Sequence, residues 1–214
     1  MAGKFITFEG GEGTGKSTQV KLLAEYLQSR GTKVITTKEP GGTEIGLDIR
    51  RLLVCGSKDK MDATAEALLY FADRHIHLAQ KIWPALSAGT TVISDRFADS
   101  TVAYQCYGYG QRVKREVLDN LYKIAVGDFR PDLTIILDID PQVGLRRSFA
   151  KADTMAEKEL RFESQDLEFH NNLRQGFKDI ATAEPQRCVV LNADKTIENL
   201  HQEIVKVVNE RLGL

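Results

Sequence analysis

Residues 4–18, KFITFEGGEGTGKST, decide how the chain is read. The apolar start, Phe5-Ile6-Thr7-Phe8, has strand character, and from Gly10 the order is G-x-x-x-x-G-K-S, closing on Gly15, Lys16 and Ser17. Val20, Leu22, Leu23, Tyr26 and Leu27 follow at amphipathic helical spacing. Strand, glycine turn and helix in that order are the setting in which this motif holds phosphates. Glycine lets the backbone bend with unusual dihedrals and approach a ligand closely. The exposed amides and the positive end of the new helix cradle an anion. Lys16 supplies a point charge for β- and γ-phosphates, and the Ser17 hydroxyl is placed to ligate Mg²⁺.

The 214 residues suit one domain, and 42% hydrophobic with 28% charged residues is ordinary for a chain that buries a real core. A formal net charge of −1 gives no global basic field, so neither nucleic acid nor a membrane is expected as a partner. Cys55, Cys106 and Cys188 are scattered, odd in number and without metal-ligand spacing, so they read as small buried or half-buried thiols. The chain enters its first strand at once, with no signal-like segment and no apolar run of spanning length, which predicts a reducing cytoplasm.

Working outward, strands are predicted at about Lys4–Phe8, Val34–Lys38, Thr91–Ser94, Leu133–Asp138 and Cys188–Leu191. Helices are predicted up to Arg30, from Thr43 or Glu44 through Leu53, over Asp62–Ile82 with Pro84 near the end, and from near Asp99. Further ones are expected over Lys114–Val126, from Pro141, over about Leu160–Ala183 and over Thr196–Leu212. Five strands separated by helices imply an α/β fold with a doubly wound, mostly parallel sheet. Ligands in such sheets lie beyond the carboxyl ends of the strands, where Glu9–Ser17, Glu39–Thr43, Asp95–Ser100 and Asp138–Asp140 all fall. One cleft should collect them.

An acid closing an apolar strand is the usual second half of a P-loop site, holding Mg²⁺ directly or through water. Asp95 and Asp138 both qualify, and Asp95 is favoured because Arg96 beside it suits phosphate chemistry. The alternative for Asp138 is a carboxylate capping the Pro141 helix. A kinase acting on a phosphate monoester must bring two anions together, which repel by many kcal/mol in a low-dielectric cleft. It needs fixed cations and no general base. Lys16, Arg50, Arg74, Arg96 and the run Arg146, Arg147, Lys151, Lys158 and Arg161 supply them. His75, His77, His170 and His201 all fall in predicted helices and read as surface or core-edge residues rather than bases.

Asp95-Arg96-Phe97, followed by Ser100, Ala103, Tyr104 and Gln105, resembles the D-R-Y-x-x-S-x-x-A-Y-Q signature of thymidylate kinases. Glu39-Pro40-Gly41-Gly42-Thr43 resembles that family's E-P-G-G-T loop, Phe8–Gly13 its P-loop, and Asp128–Leu133 a segment of its bacterial members. The resemblance implies a P-loop kinase fold of the nucleoside monophosphate kinase type over residues 1–214, with a lid at about 146–161, in a homodimer. It implies ATP bound by Gly10, Gly11, Glu12, Gly13, Thr14, Gly15, Lys16, Ser17, Thr18 and Arg147, dTMP as acceptor, and Mg²⁺ at Ser17 and Asp95.

By the same resemblance, Arg96 and Arg50 grip the acceptor phosphate, where a guanidinium fork matches its oxygens. Arg74 donates to thymine O4 and disfavours cytosine. Tyr70 takes the place of the family's usual stacking Phe, with Phe71 as the rival ring. Thr101 and Gln105 face the base or phosphate, Glu39 and Ser100 also belong to the substrate site, Tyr104 stands under the sugar and excludes a 2′-hydroxyl, and Glu12 accepts the sugar 3′-OH or helps place Mg²⁺. Gly13 stands where some members carry a P-loop arginine, so the lid should supply that cation: Arg161, with Arg147 and Lys151 as rivals. Lys16, Arg96, Arg161 and Glu12 are the expected catalytic set. Competing readings are a kinase for another monophosphate or small metabolite, and a P-loop switch ATPase.

Overall fold

Five strands form as Phe5–Glu9 (β1), Val34–Lys38 (β2), Thr91–Asp95 (β3), Leu133–Asp138 (β4) and Cys188–Asn192 (β5). They pair in parallel in the order β2-β3-β1-β4-β5. The computed structural model describes residues 3–57, 60–152 and 161–214; Lys158, Glu159, Leu160 and the side chain of Lys151 lie outside the described residues. The helices are Lys16–Ser29 (α1), Glu44–Val54 (α2), Ala63–His77 (α3), Trp83–Ser87 (α4) and Ala98–Val102 (α5). Arg115–Ala125 (α6), Pro141–Ala152 (α7), Leu167–Ala183 (α8) and Ile197–Leu212 (α9) complete them.

Alternation along the strands builds the layers. Ile6, Phe8, Leu133, Ile135 and Leu137 pack on one face with Leu23 and Leu27 of α1 and with Leu200, Ile204 and Val208 of α9. On the other face Phe5 and Val92 meet Leu78, Ile82 and Phe97, while Ile136 joins Leu53, Phe71, Leu118 and Phe177. Burying such a side chain is worth ~1.5–3 kcal/mol, against ~1 kcal/mol for a helix cap. Packing therefore sets the layers, and the caps (Thr43, Asp62, Asp166 and Thr196, each accepting a first-turn amide) set where helices start.

Two expectations are corrected here. The helix predicted over Asp62–Ile82 runs on: α3 widens into a π-helical stretch at Leu78–Ile82 and continues as α4. Pro84 sits directly after the π-helical stretch, and the helix carries on through it to Ser87, so it does not end the helix. The helix predicted from Leu160 starts at Leu167, because Asp166 takes the Phe169 amide and Ser164 bonds the Arg161 carbonyl, closing a turn instead. α5 likewise passes into a π-helical stretch, Ala103–Gly108.

The strand ends align the chemistry. Asp95 lies level with Phe8 of β1 and Lys38 of β2, so the loops after β1, β2 and β3 open along one edge of the sheet.

Candidate active site

Those loops enclose a cleft of about 440 Å³. Its donor end is the loop after β1. Gly10 has φ 130°, and a Cβ there would lie 2.3 Å from the Leu137 carbonyl oxygen. Gly13 has φ 65° and a Cβ would lie 1.9 Å from the Gly144 carbonyl oxygen of α7, so an arginine at this position would require α7 to move. α1 starts after Gly15 with no side-chain cap, leaving its first amides turned to the cleft that Thr14, Lys16, Ser17 and Thr18 line. The Lys16 ammonium folds back and donates to the Gly10 carbonyl (3.1 Å), the Gly11 carbonyl (2.7 Å) and Thr14 Oγ1 (3.3 Å). Burial, reinforced by Arg96, pulls Lys16 down to about 8 against the opposing pull of Glu12.

Ser17 Oγ donates to Asp95 Oδ2 at 2.6 Å, joining the loop to the end of β3. A hydroxyl and a carboxylate side by side fit Mg²⁺, which takes hard oxygen donors and usually completes its shell with phosphates and water. No cluster of three or more His, Cys, Asp or Glu side chains is placed to hold a metal among the described residues. Asp138 is otherwise engaged. Burial alone would raise its carboxyl, but Arg174 (2.6 and 2.9 Å) and Lys178 hold it low. Its expected alternative as a helix cap is corrected: Asp140 takes the Gln142 and Val143 amides at the start of α7.

At the centre, Arg96 adopts φ 70°, uncommon for a residue with a side chain, and thereby turns into the cleft. Nη2 reaches both Glu12 oxygens at 3.1 Å, and Nη1 donates to the Gly10 carbonyl (2.8 Å) and Ser100 Oγ (3.1 Å). The Tyr104 hydroxyl also donates to Glu12, and the Arg96 guanidinium lies 5.0 Å from the Tyr104 ring centre. Burial would push Glu12 up, but Arg96 and Lys16 hold it down to about 2. Arg50 joins this part of the cleft, donating to the Pro40 carbonyl at 3.0 Å.

The far end is built round Arg74, 1% exposed. Nε donates to Glu39 Oε2 and Nη2 to Thr101 Oγ1, each at 2.9 Å, while Nη1 has no partner among the described residues. Phe71 and Phe97 flank the guanidinium, their ring centres 4.9 and 5.1 Å away. Tyr70 lines the cleft, whereas Phe71 is buried in the core against Tyr122, so Tyr70 is the ring that a planar ligand would meet.

Two expected residues lie elsewhere. Gln105 is buried behind the cleft wall, its amide donating to Glu66 at 3.0 Å. Arg161, expected as the lid cation, is 2% exposed and pairs with Glu66, donating also to the Leu53 (2.8 Å) and Ser57 (3.1 Å) carbonyls. A guanidinium must be buried beside a carboxylate if it is to be buried at all, and among the described residues Glu66 is one that it meets. The next two residues, Phe162 and Glu163, reach the cleft instead, as does Arg147, which is half-exposed beside Asp194. Burial, then the charge of Glu12, raises Glu163 to about 7.

Sequence reasoning missed Glu9. Fully buried at the end of β1, it accepts from the Phe97 amide (2.8 Å) and from Ser100 Oγ, on either side of the Arg96 turn. The available signal was an acid at the end of an otherwise apolar strand, directly before the glycine turn.

A mononucleotide phosphate loop facing an arginine-lined wall across one cleft suits two phosphorylated ligands meeting end to end, and places the protein among P-loop kinases of the nucleoside monophosphate type. The chain belongs to the thymidylate kinase family, whose model matches residues 8–204. It is 45% identical over 210 residues to a thymidylate kinase of Maridesulfovibrio salexigens, covering 97% of this chain and 96% of the relative. With that of Magnetococcus marinus it shares 46% over 211 residues, covering 99% and 98%. The crystal structure of thymidylate kinase from Ehrlichia chaffeensis superposes with a TM-score of 0.79 at 36% identity, over 97% of this chain and 100% of that one.

Proposed function

We propose that the protein transfers the terminal phosphoryl group of ATP to dTMP, giving ADP and dTDP, with Mg²⁺. The observation that carries the choice of acceptor is Arg74: a buried guanidinium in the cleft wall, held on two nitrogens, with Nη1 left to donate. An unmade hydrogen bond from a buried charged donor is costly, so a carbonyl such as thymine O4 is favoured there over the amine of cytosine. Tyr70 stacks on the base, and Thr101 and Glu39 hold Arg74. Tyr104 lies under the sugar. Rejecting dUMP depends on one methyl group, worth only ~1–3 kcal/mol, so some turnover is expected.

The acceptor phosphate takes the Arg96 fork from Glu12, with Arg50 beside it, and frees Glu12 for the sugar 3′-OH. On the donor side Lys16 exchanges the Gly10 and Gly11 carbonyls for β- and γ-phosphate oxygens. Mg²⁺, when bound by Ser17 and Asp95, neutralises charge on those phosphates. The attacking phosphate oxygen is already ionised, so positioning and electrostatics suffice. Segment 146–161 serves as the lid, with Arg147 in the cleft wall as the cation in place of Arg161.

A cytoplasmic homodimer accompanies this reading. α2, α3 and α6 pack side by side and expose Ile45, Leu52, Leu68, Val117 and Ile124, the last at 81%. No described helix is long and apolar enough to cross a membrane. Coupled ADP release over a panel of nucleoside monophosphates tests the function. Release that depends on dTMP and exceeds that with dCMP, dGMP and dAMP is expected, from a species sedimenting as a dimer; release independent of any acceptor would overturn it.

A further inference from the structure

His77 is fully buried, in contrast to the surface or core-edge place expected of it. Its Nδ1 lies 2.9 Å from Glu39 Oε1 and its Nε2 lies 2.7 Å from Thr37 Oγ1. The other Glu39 oxygen takes Arg74 Nε. A continuous line of buried hydrogen bonds thus runs from Thr37 on β2, through His77 and Glu39, to the guanidinium of Arg74, a residue of the cleft wall. Arg74 and His77 stand three residues apart on α3, so one helix face presents both, and the helix widens directly after His77.

We infer that His77 is a specificity-positioning residue, fixing the direction of Arg74 through Glu39 and so setting the discrimination between a keto and an amino group on the acceptor base. This rests on the dTMP reading above. The terminal torsion of a carboxylate is soft. Held by Arg74 alone, Glu39 could swing; the Nδ1–H of His77 on the second oxygen removes that freedom. Glu39 Oε2 already accepts from Arg74, and a carboxylate paired with a guanidinium accepts on its other oxygen too, so His77 Nδ1 is the donor to Oε1.

The alternative is that His77 only anchors the loop after β2. That loop has other anchors: Asp73 takes the Gly41 amide (3.2 and 3.3 Å), Lys81 donates to the Gly42 carbonyl (3.3 Å), and Arg50 to the Pro40 carbonyl (3.0 Å). Gly42 packs flat on the imidazole, where a Cβ would come within 2.3 Å of Nε2, a contact of shape that needs no hydrogen bond. What His77 alone supplies among the described residues is the bond to Glu39 Oε1.

Two conservative variants separate these roles. The amide nitrogen of asparagine falls near the place of imidazole Nδ1, and that of glutamine near Nε2. His77→Asn keeps the donor to Glu39; His77→Gln keeps only the Thr37 contact. kcat/KM for dTMP and dCMP is measured for each, with thermal melting alongside. His77→Gln should narrow the dTMP:dCMP ratio by about tenfold or more, chiefly through KM for dTMP, as misaimed supporting groups do. His77→Asn should stay within about threefold of the wild type. Equal ratios in all three proteins, or equal loss in both variants whatever their melting temperatures, would overturn the inference. Should His77→Gln not fold, His77→Phe, which keeps a ring but no donor, carries the same expectation. Arg74→Ala is the control. If it collapses the ratio while His77→Gln preserves it, the acceptor reading stands and His77 is removed from it; no dTMP preference in the wild type would sink the acceptor reading itself.

Discussion

The two ends of the cleft are made of different material. The donor end is main chain from one run of residues, Gly10–Thr18, its shape set by glycine dihedrals and the open start of α1. The acceptor end is side chain from α2, α3, the β3–α5 turn and the start of α8's leading turn, with Arg74, Arg96 and Glu12 each held by partners distant in sequence. A main-chain site is built wherever its local dihedrals are allowed. A side-chain site needs a second layer of buried polar groups to aim it, and those groups are exposed to disruption one at a time.

The donor end should therefore fail abruptly when its one cationic side chain is lost, and without unfolding. Lys16→Ala removes the ammonium from the phosphate path and leaves the loop's glycines and the Ser17–Asp95 pair in place. A fall in kcat of about three orders of magnitude, equivalent to ~4 kcal/mol, is expected with melting temperature little changed. Turnover within about tenfold of the wild type would mean that main chain alone does the work at this end.

This difference also explains what could be read in advance. The sheet, its five strands and the phosphate loop were legible because each is carried by local periodicity or by one contiguous motif. The acceptor residues Arg96, Arg74, Tyr70 and Thr101 were reached only through resemblance to a family, since nothing local brings residues 70–74 to residues 96–104. Their supports were not legible at all. Glu9, His77 and Glu66 look like ordinary strand-end and helix residues, and their roles follow from partners 38 to 95 positions away. Arg161 was misassigned for the same reason: a cation near a lid reads as a phosphate ligand until a buried carboxylate is seen to claim it.

Arg161 gives the sharpest test of side-chain support. Arg161→Ala leaves Glu66 buried and charged beside Gln105 and Tyr109, the wall behind Tyr104. Breaking a buried pair from one side costs ~3–5 kcal/mol, so urea unfolding should show a loss of that order. The double variant Arg161→Met with Glu66→Met, which removes both charges, should recover most of it. A stable Arg161→Ala protein whose only defect is in kcat would return Arg161 to the transferring phosphate and erase the contrast between the two ends of the cleft.

Glu9 offers the smallest effect and the one with a sign. Burial above all, then the neighbouring Asp99, raises its carboxyl from the usual 4.5 to about 8, against the opposing bonds from Ser100 and Phe97 and the charge of Arg96. Between those two values the folded protein keeps a proton that the unfolded chain releases. The folded state binds more protons there, so this group's contribution to stability is complete below about 4.5 and is lost as pH rises toward 8, with a slope of at most ~1.4 kcal/mol per pH unit. Glu9→Gln cannot ionise. Its unfolding free energy, followed in urea from pH 5 to 8, should fall less steeply than that of the wild type. Assayed above pH 8, where Glu9 is ionised, the variant should also raise KM for dTMP, because an amide offers one acceptor where the carboxylate meets both the Phe97 amide and the Ser100 hydroxyl around the Arg96 turn. Parallel pH curves with an unchanged KM would mean that Arg96 holds its left-handed turn through main chain alone, and that the acceptor end is in this one place built like the donor end.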